Sequence, residues 1–320
     1  MYKKKTILVS GASGIVGYGI LRSLRKSEES YILIGTTIHD FSVAPAFCDV
    51  FEKALPTNHP DYINWFRNTI KKHSVDMIIP GIESDVFKWN QEREQLSLTG
   101  TLPLLNNSEL IKLCYDKWLF YEQLIIENKN FAIPTLIDGN FSSFSVPFLL
   151  KPKKGYGSKG IIRINNEKEF EAHKDKIGKE YIMQPIIGTE EEEYTVSAFF
   201  DKASQLIDYF SLKRKLSGDG FTLEAQVVDF NFENILLSLA KVFKPVGPTN
   251  FQFRIDGENV KLLEINPRIS SATSIRSSFG YNESVMSVNY FLENRLPQKL
   301  DKSKIINKRA VRYMEDYIFS

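Results

Sequence analysis

The sequence predicts an α/β protein with a parallel, helix-covered sheet at its N-terminus and α+β subdomains with antiparallel sheets behind it. Three observations carry that expectation. Short apolar runs at 6–10, 31–37 and 77–82 alternate with helical periodicity over the first hundred residues, the pattern of strands separated by crossover helices. From about residue 147 the texture changes to closely spaced short strands broken by Gly, Asn, Asp and Lys clusters. Near the end, Asp256-Gly257-Glu258-Asn259 separates two apolar runs, and Asp-Gly supplies the left-handed backbone that a tight hairpin turn needs.

Taken in order, the run 6–10 leads into Gly11, Gly14 and Gly17 and then into a helix with Ile20, Leu21 and Leu24 on one face. Strand, glycine turn and helix form the parse, and the GxxGxxG spacing lets backbone approach a phosphate or lets helix pack tightly on strand. A second helix carries Tyr62, Ile63, Phe66 and Ile70, and a short strand near 102–105 ends at Asn106-Asn107-Ser108, which caps a helix bearing Leu110, Leu113, Trp118, Leu119 and Tyr121. Further strands are expected at 147–151, 161–164, 181–186, 194–200, 206–212 and 222–230, with a helix at 232–243. The resulting division is 1–106, 107–187 and 188–320.

Composition narrows the function. In 320 residues, 41 Lys+Arg against 39 Asp+Glu leave a charge of +2, with no dense basic tract of the kind that binds nucleic acid. No apolar run reaches the roughly 18 residues of a membrane span. Cys48 and Cys114 show no metal-ligand spacing and are too few for a disulfide framework. The charged and apolar N-terminus imitates a leader, but glycines interrupt it, so it reads as folded protein in the cytoplasm.

Two constellations carry chemistry. The glycine turn, with Asp40 late after the second strand and a literal Tyr209-Phe-Ser-Leu-Lys213, would suit an NAD(P)-dependent sugar epimerase or reductase. The second is stronger. Residues 148–152 form a buried strand ending at Lys151-Pro152, followed by a loop containing Gly155, Gly157, Ser158 and Gly160, a fixed cation beside backbone N–H groups that can hold polyphosphate. On the far side of the hairpin comes Leu263-Glu264-Ile265-Asn266-Pro267-Arg268. Residues two apart on a strand share a face, so Glu264 and Asn266 present hard oxygen donors side by side, as Mg²⁺ requires. Between these pieces, Gln184-Pro185-Ile186-Ile187 leads to Glu193-Tyr194-Thr195-Val196, an unpaired segment for an adenine edge and a carboxylate for ribose.

In this order the residues resemble the ATP-grasp superfamily, and particularly its carbamoyl phosphate synthetase large-subunit-like branch of carboxylate-amine ligases. The resemblance runs from the glycine turn through Asp116-Lys117, Lys151-Pro152, the hinge at 184–187, Glu193 and Asn250-Phe-Gln252-Phe to Glu264-Ile-Asn266-Pro267-Arg268. It implies ATP and Mg²⁺ or Mn²⁺ as cofactors, with Lys117, Lys151 and the loop on the phosphates. The hinge, with Gln184, Pro185 and Ile187, would take adenine and Glu193 the ribose. Gln252, Glu264 and Asn266 would ligate metal, and Arg268 with Lys151 would act on the transferring phosphoryl group. Gln184 stands where many members have Glu, and one ATP-grasp unit without a glutaminase segment argues against carbamoyl phosphate synthesis itself. The resemblance further implies small-molecule carboxylate and amine or ammonia substrates, an acyl phosphate intermediate, release of ADP and phosphate, and a homodimer. Lys213-Arg214-Lys215 and Arg276 are candidate anion contacts, and the turn 80–85 with Glu83 and Asp85 is a candidate amine contact. A non-catalytic nucleotide-binding module is the remaining alternative.

Overall fold

A computed structural model describes residues 4–155, 160–218 and 220–319. The first sheet is parallel, in the order β3-β2-β1-β4-β5, built from β1 (Thr6–Val9), β2 (Ile32–Thr37), β3 (Val50–Lys53), β4 (Met77–Ile79) and β5 (Leu102–Pro103). Ile7 and Val9 of β1 face a layer holding Ile20 and Leu24 of α1 (Ile15–Arg25), while Leu8 faces Phe66 of α2 (Tyr62–His73) and Trp89 of α3 (Glu83–Gln91). Burial on both faces is why these strands read as continuous apolar runs. The edge strand β3, Val-Phe-Glu-Lys, is half-buried and was not anticipated; its strand state comes from pairing with β2, a tertiary contact.

The glycine turn is a packing device. A Cβ on Gly17 would sit 2.2 Å from the Gly11 carbonyl oxygen, and one on Gly81 would sit 2.1 Å from that of Ser10. Both glycines let the start of α1 and the end of β4 press against the turn after β1.

One helix was expected from Leu110 to Tyr121, but the chain forms two, α5 (Ser108–Tyr115) and α6 (Lys117–Asn128), after the short α4 (Arg93–Ser97). Asp116 breaks the run: its backbone is extended, and its carboxylate accepts the N–H groups of Trp118 and Leu119 as the N-cap of α6. Asn107 caps α5 in the same way through the Glu109 N–H.

A small antiparallel sheet, β7-β6-β8, comprises β6 (Phe148–Pro152), β7 (Ile162–Ile164) and β8 (Tyr181–Pro185). Its core joins Phe148, Leu150 and Met183 to Phe170 of α7 (Glu167–Glu171). The large sheet runs β13-β12-β9-β10-β11-β14, with β9 (Glu193–Phe200), β10 (Leu206–Leu216), β11 (Thr222–Val227), β12 (Gly247–Asp256), β13 (Asn259–Asn266) and β14 (Arg309–Val311). Val196, Ala198 and Phe200 of β9 pack under α8 (Glu233–Phe243), and Phe199 faces the layer of α9 (Thr273–Ser278) and α10 (Glu283–Ser287). The strand at 206–212 extends to Leu216, which places Lys213, Arg214 and Lys215 in paired strand instead of a loop, whereas the strand expected to reach 230 ends at Val227.

Packing does not follow chain order. Ile269 and Val288, just beyond the large sheet, lie in the core of the parallel sheet, and α9 and α10 lie against α1. Arg276 belongs to this seam. Expected as an anion contact, it is fully buried and ion-paired with Glu283, also fully buried, while donating to Ser270 Oγ at 2.9 Å.

Candidate active site

A cleft of about 1490 Å³ opens between the two antiparallel sheets, closed at its sides by α3 and α6. Lys117, Lys151, Gln184, Pro185, Ile187, Glu193, Lys213, Gln252, Glu264, Asn266 and Arg268 all line it. Gly160 does not, and Gly157 and Ser158 lie outside the described residues.

The hairpin builds one wall. Gln252 pairs directly with Glu264 across β12 and β13, with an irregularity at the next residue, where Phe253 pairs with Leu262. Asn266 Nδ2 donates to Glu264 Oε1 at 2.9 Å, the same-face arrangement expected of residues two apart. Gln252 Oε1 accepts from Arg214 Nη2 at 2.7 Å, and Asn266 Oδ1 from Arg268 Nη2 at 3.3 Å. Among the described residues no three His, Cys, Asp or Glu side chains are placed to hold a metal ion. The donor set expected from the sequence, Glu264 with Gln252 and Asn266, consists of one carboxylate and two amide oxygens on this wall. That chemistry fits Mg²⁺, which keeps water and substrate phosphate as its remaining ligands.

Opposite stand the two lysines. The segment after β6 bridges to the break between α5 and α6: Lys117 N–H donates to the Lys153 carbonyl at 2.8 Å, Gly155 N–H to the Tyr115 carbonyl at 3.0 Å, and Lys117 Nζ to the Gly155 carbonyl at 3.2 Å. The helix break thus delivers Lys117 to the same space as Lys151. Burial lowers the pKa of both ammonium groups from the usual lysine value, and the Glu264 carboxylate opposes that shift in each case. Glu264 is the counter-charge common to both lysines.

At the hinge, Gln184 Nε2 donates to Thr135 Oγ1 at 2.8 Å, so its side chain is tied to the protein. Glu193 is buried and held by Arg214 and Arg254, and Lys213 pairs with Glu192 at the rim. Arg214, expected as an anion contact, meets this protein carboxylate, whereas Arg254 was missed in the sequence because its pairing depends on β12 lying beside β9. In the turn 80–85, Glu83 lines the cleft and pairs with Arg268. Asp85 turns inward instead, accepting from Tyr62 Oη at 2.8 Å and Thr57 Oγ1 at 2.7 Å, and is not a cleft contact. None of the four histidines lines the cleft.

The reductase constellation does not assemble. Tyr209 and Lys213 lie four residues apart on β10, about 13 Å at strand rise, and Tyr209 Oη bonds to Asn231, while only Lys213 lines the cleft.

Comparison with known proteins agrees with this layout. Residues 182–317 match the family described as ATP-grasp in the biosynthetic pathway with Ter operon. N5-carboxyaminoimidazole synthetase from Staphylococcus aureus, solved with ADP, superposes at a TM-score of 0.72 with 16% identity, covering 93% of this chain and 80% of that one. The chain has an ATP-grasp fold. A D-alanine–D-alanine ligase of Petrotoga mobilis is 29% identical over 125 residues, 33% of this chain and 39% of the relative, so the match spans about two fifths of that curated protein. The biotin carboxylase domain of a 2-oxoglutarate carboxylase from Hydrogenobacter thermophilus, solved as a dimer with MgADP and bicarbonate, superposes at a TM-score of 0.64 with 16% identity over 87% of this chain and 70% of that one. In the ATP-grasp layout, the described cleft lies between the two antiparallel sheets.

Proposed function

We propose that this protein is an ATP-dependent ligase that joins a small-molecule carboxylate to an amine or ammonia through an acyl phosphate, releasing ADP and phosphate. The observation that carries the reading is the convergence of Lys117 and Lys151 on the space faced by Glu264, Asn266 and Gln252. Known ligases and an MgADP complex among similar folds support it.

In this reading the hinge backbone at 184–187 takes adenine, and Lys117 and Lys151 bind and orient the phosphates. Gln252, Glu264 and Asn266 would hold Mg²⁺ or Mn²⁺, which neutralises charge on the phosphoryl group when bound. The substrate carboxylate oxygen forms a bond to the γ-phosphorus as the bond to the ADP oxygen breaks. The amine nitrogen then bonds to the acyl carbon, phosphate leaves and the nitrogen loses a proton. Arg268, paired with Glu83 and Asn266, would stabilise the acyl phosphate by charge. The dimeric carboxylase domain makes a homodimer of this chain part of the proposal.

Thermal unfolding with ATP plus Mg²⁺, ATP plus chelator, and NAD(P)⁺ tests the nucleotide assignment, since a ligand at 100 times its Kd stabilises by about 2.7 kcal/mol. A shift with Mg·ATP that chelator reduces and NAD(P)⁺ does not reproduce is expected. ADP release is then measured over a panel of carboxylates and amines, and Lys151→Ala and Glu264→Ala should abolish acid-dependent turnover while keeping the fold. Unchanged turnover in both variants refutes the assignment.

A further inference from the structure

Asp85 is a carboxylate buried to 3% exposure in the first turn of α3, outside the cleft. Its Oδ1 accepts from Thr57 Oγ1 at 2.7 Å and Tyr62 Oη at 2.8 Å, and the Ser10 hydroxyl bonds to the same carboxylate. Ser10 Oγ also accepts the Gly81 N–H at 3.2 Å, and Trp89 Nε1, one turn further along α3, donates to Tyr62 Oη at 3.0 Å. The end of β1, the segment before α2 and α2 itself therefore all grip the start of α3. Glu83 occupies the same turn. Successive helical residues lie about 100° apart, so side chains two apart point to nearly opposite sides. With Asp85 held inward, Glu83 faces outward, where it lines the cleft and pairs with Arg268. The other bonds of Arg268, Nη1 to the Ile269 carbonyl at 2.9 Å and Nη2 to Asn266 Oδ1 at 3.3 Å, stay within its own end of β13. Glu83 reaches it from a distant part of the chain.

We infer that Asp85 is a positioning residue for the ligation: by locking the first turn of α3 to the parallel sheet it fixes Glu83, and Glu83 fixes the guanidinium of Arg268. This rests on the ligase reading above. A long arginine side chain is restrained only by partners that are themselves held, and displacing a reacting or stabilising group by about 1 Å can cost up to about 100-fold in rate. The network around Asp85 supplies that restraint without touching the cleft, so its effect falls on the step that uses Arg268 and not on nucleotide binding.

The test combines ADP release, measured over the panel of carboxylates and amines, with calorimetric titration of the full chain by Mg·ATP. Asp85→Asn, and separately Tyr62→Phe, should lower kcat about tenfold while the Kd for Mg·ATP changes by less than about twofold. Glu83→Gln should show a similar loss, and adding Asp85→Asn to it should lower kcat by no more than about a further twofold, because the two residues act through one contact. Losses that multiply in the double variant, a Kd that rises in step with the fall in kcat, or an unchanged kcat in both Asp85→Asn and Tyr62→Phe overturn the inference and leave the ligase reading intact. Mg·ATP binding without ADP formation across the whole panel in the unmodified protein overturns the ligase reading and the inference with it.

Discussion

Replacing Glu283 by glutamine removes one charge from the seam that joins the parallel sheet to the large antiparallel sheet, with little change of shape. Arg276 and Glu283 are both fully buried, and Glu283 also takes the Ser197 hydroxyl. Among the described residues Arg276 Nε and Nη1 have no partner, and Glu283 is the carboxylate paired with this guanidinium. Breaking a buried pair by neutralising one side costs about 3 to 5 kcal/mol, because the remaining charge stays in a dry interior. The lower figure applies to glutamine, whose amide oxygen still accepts one hydrogen bond. With about 2.1 cal/mol/K of unfolding entropy per residue, 3 kcal/mol corresponds to a fall in Tm of about 4 to 5 °C for 320 residues melting as one unit. Scanning calorimetry measures it. Pairing Glu283→Leu with Arg276→Met should recover most of the loss, since a well-packed apolar pair replaces a buried ion pair at little cost. A fall below about 1 °C for Glu283→Gln, or a double variant less stable than the single one, refutes the reasoning.

Two further outcomes are expected. Gly17→Ala brings a Cβ to 2.2 Å from the backbone oxygen of Gly11, where neither chain segment can yield without moving α1 off the sheet; chemical denaturation should show a loss of about 3 kcal/mol or more, and a stable Gly17→Ala protein would contradict the packing role. Because burial lowers the pKa of Lys151 and Lys117, the free protein loses these charges below the usual pH for lysine, while bound phosphate favours the charged form. Affinity for Mg·ATP should therefore be level near neutrality and weaken as pH rises through the lowered pKa, seen by titration between about pH 7 and 10; an affinity constant over that range, or equal pH profiles for Lys151→Met and the unmodified protein, counts against phosphate binding by these lysines.

Much of the architecture was legible because it is written locally. Apolar runs buried on both faces marked the parallel strands β1, β2 and β4, and the Asp256-Gly257 turn placed the hairpin well enough to set Gln252 opposite Glu264. The period-2 rule put Glu264 and Asn266 on one face, and their hydrogen bond bears this out. Strands β3 and β14 escaped notice, since each is short, partly exposed and defined by the neighbour it pairs with.

The sequence by itself determined the order of parallel and antiparallel regions, the hairpin, and most of the polar side chains that line the cleft, because periodicity, turn chemistry and donor type act over a few residues. Tertiary structure alone decided what those side chains meet. It sent Arg276 into the core with Glu283, turned Asp85 away from the cleft, and set Arg214 and Arg254 on either side of Glu193. A charged side chain's role depends on which opposite charge is within a few ångströms and how much water is excluded, and both are properties of strands brought together from distant parts of the chain.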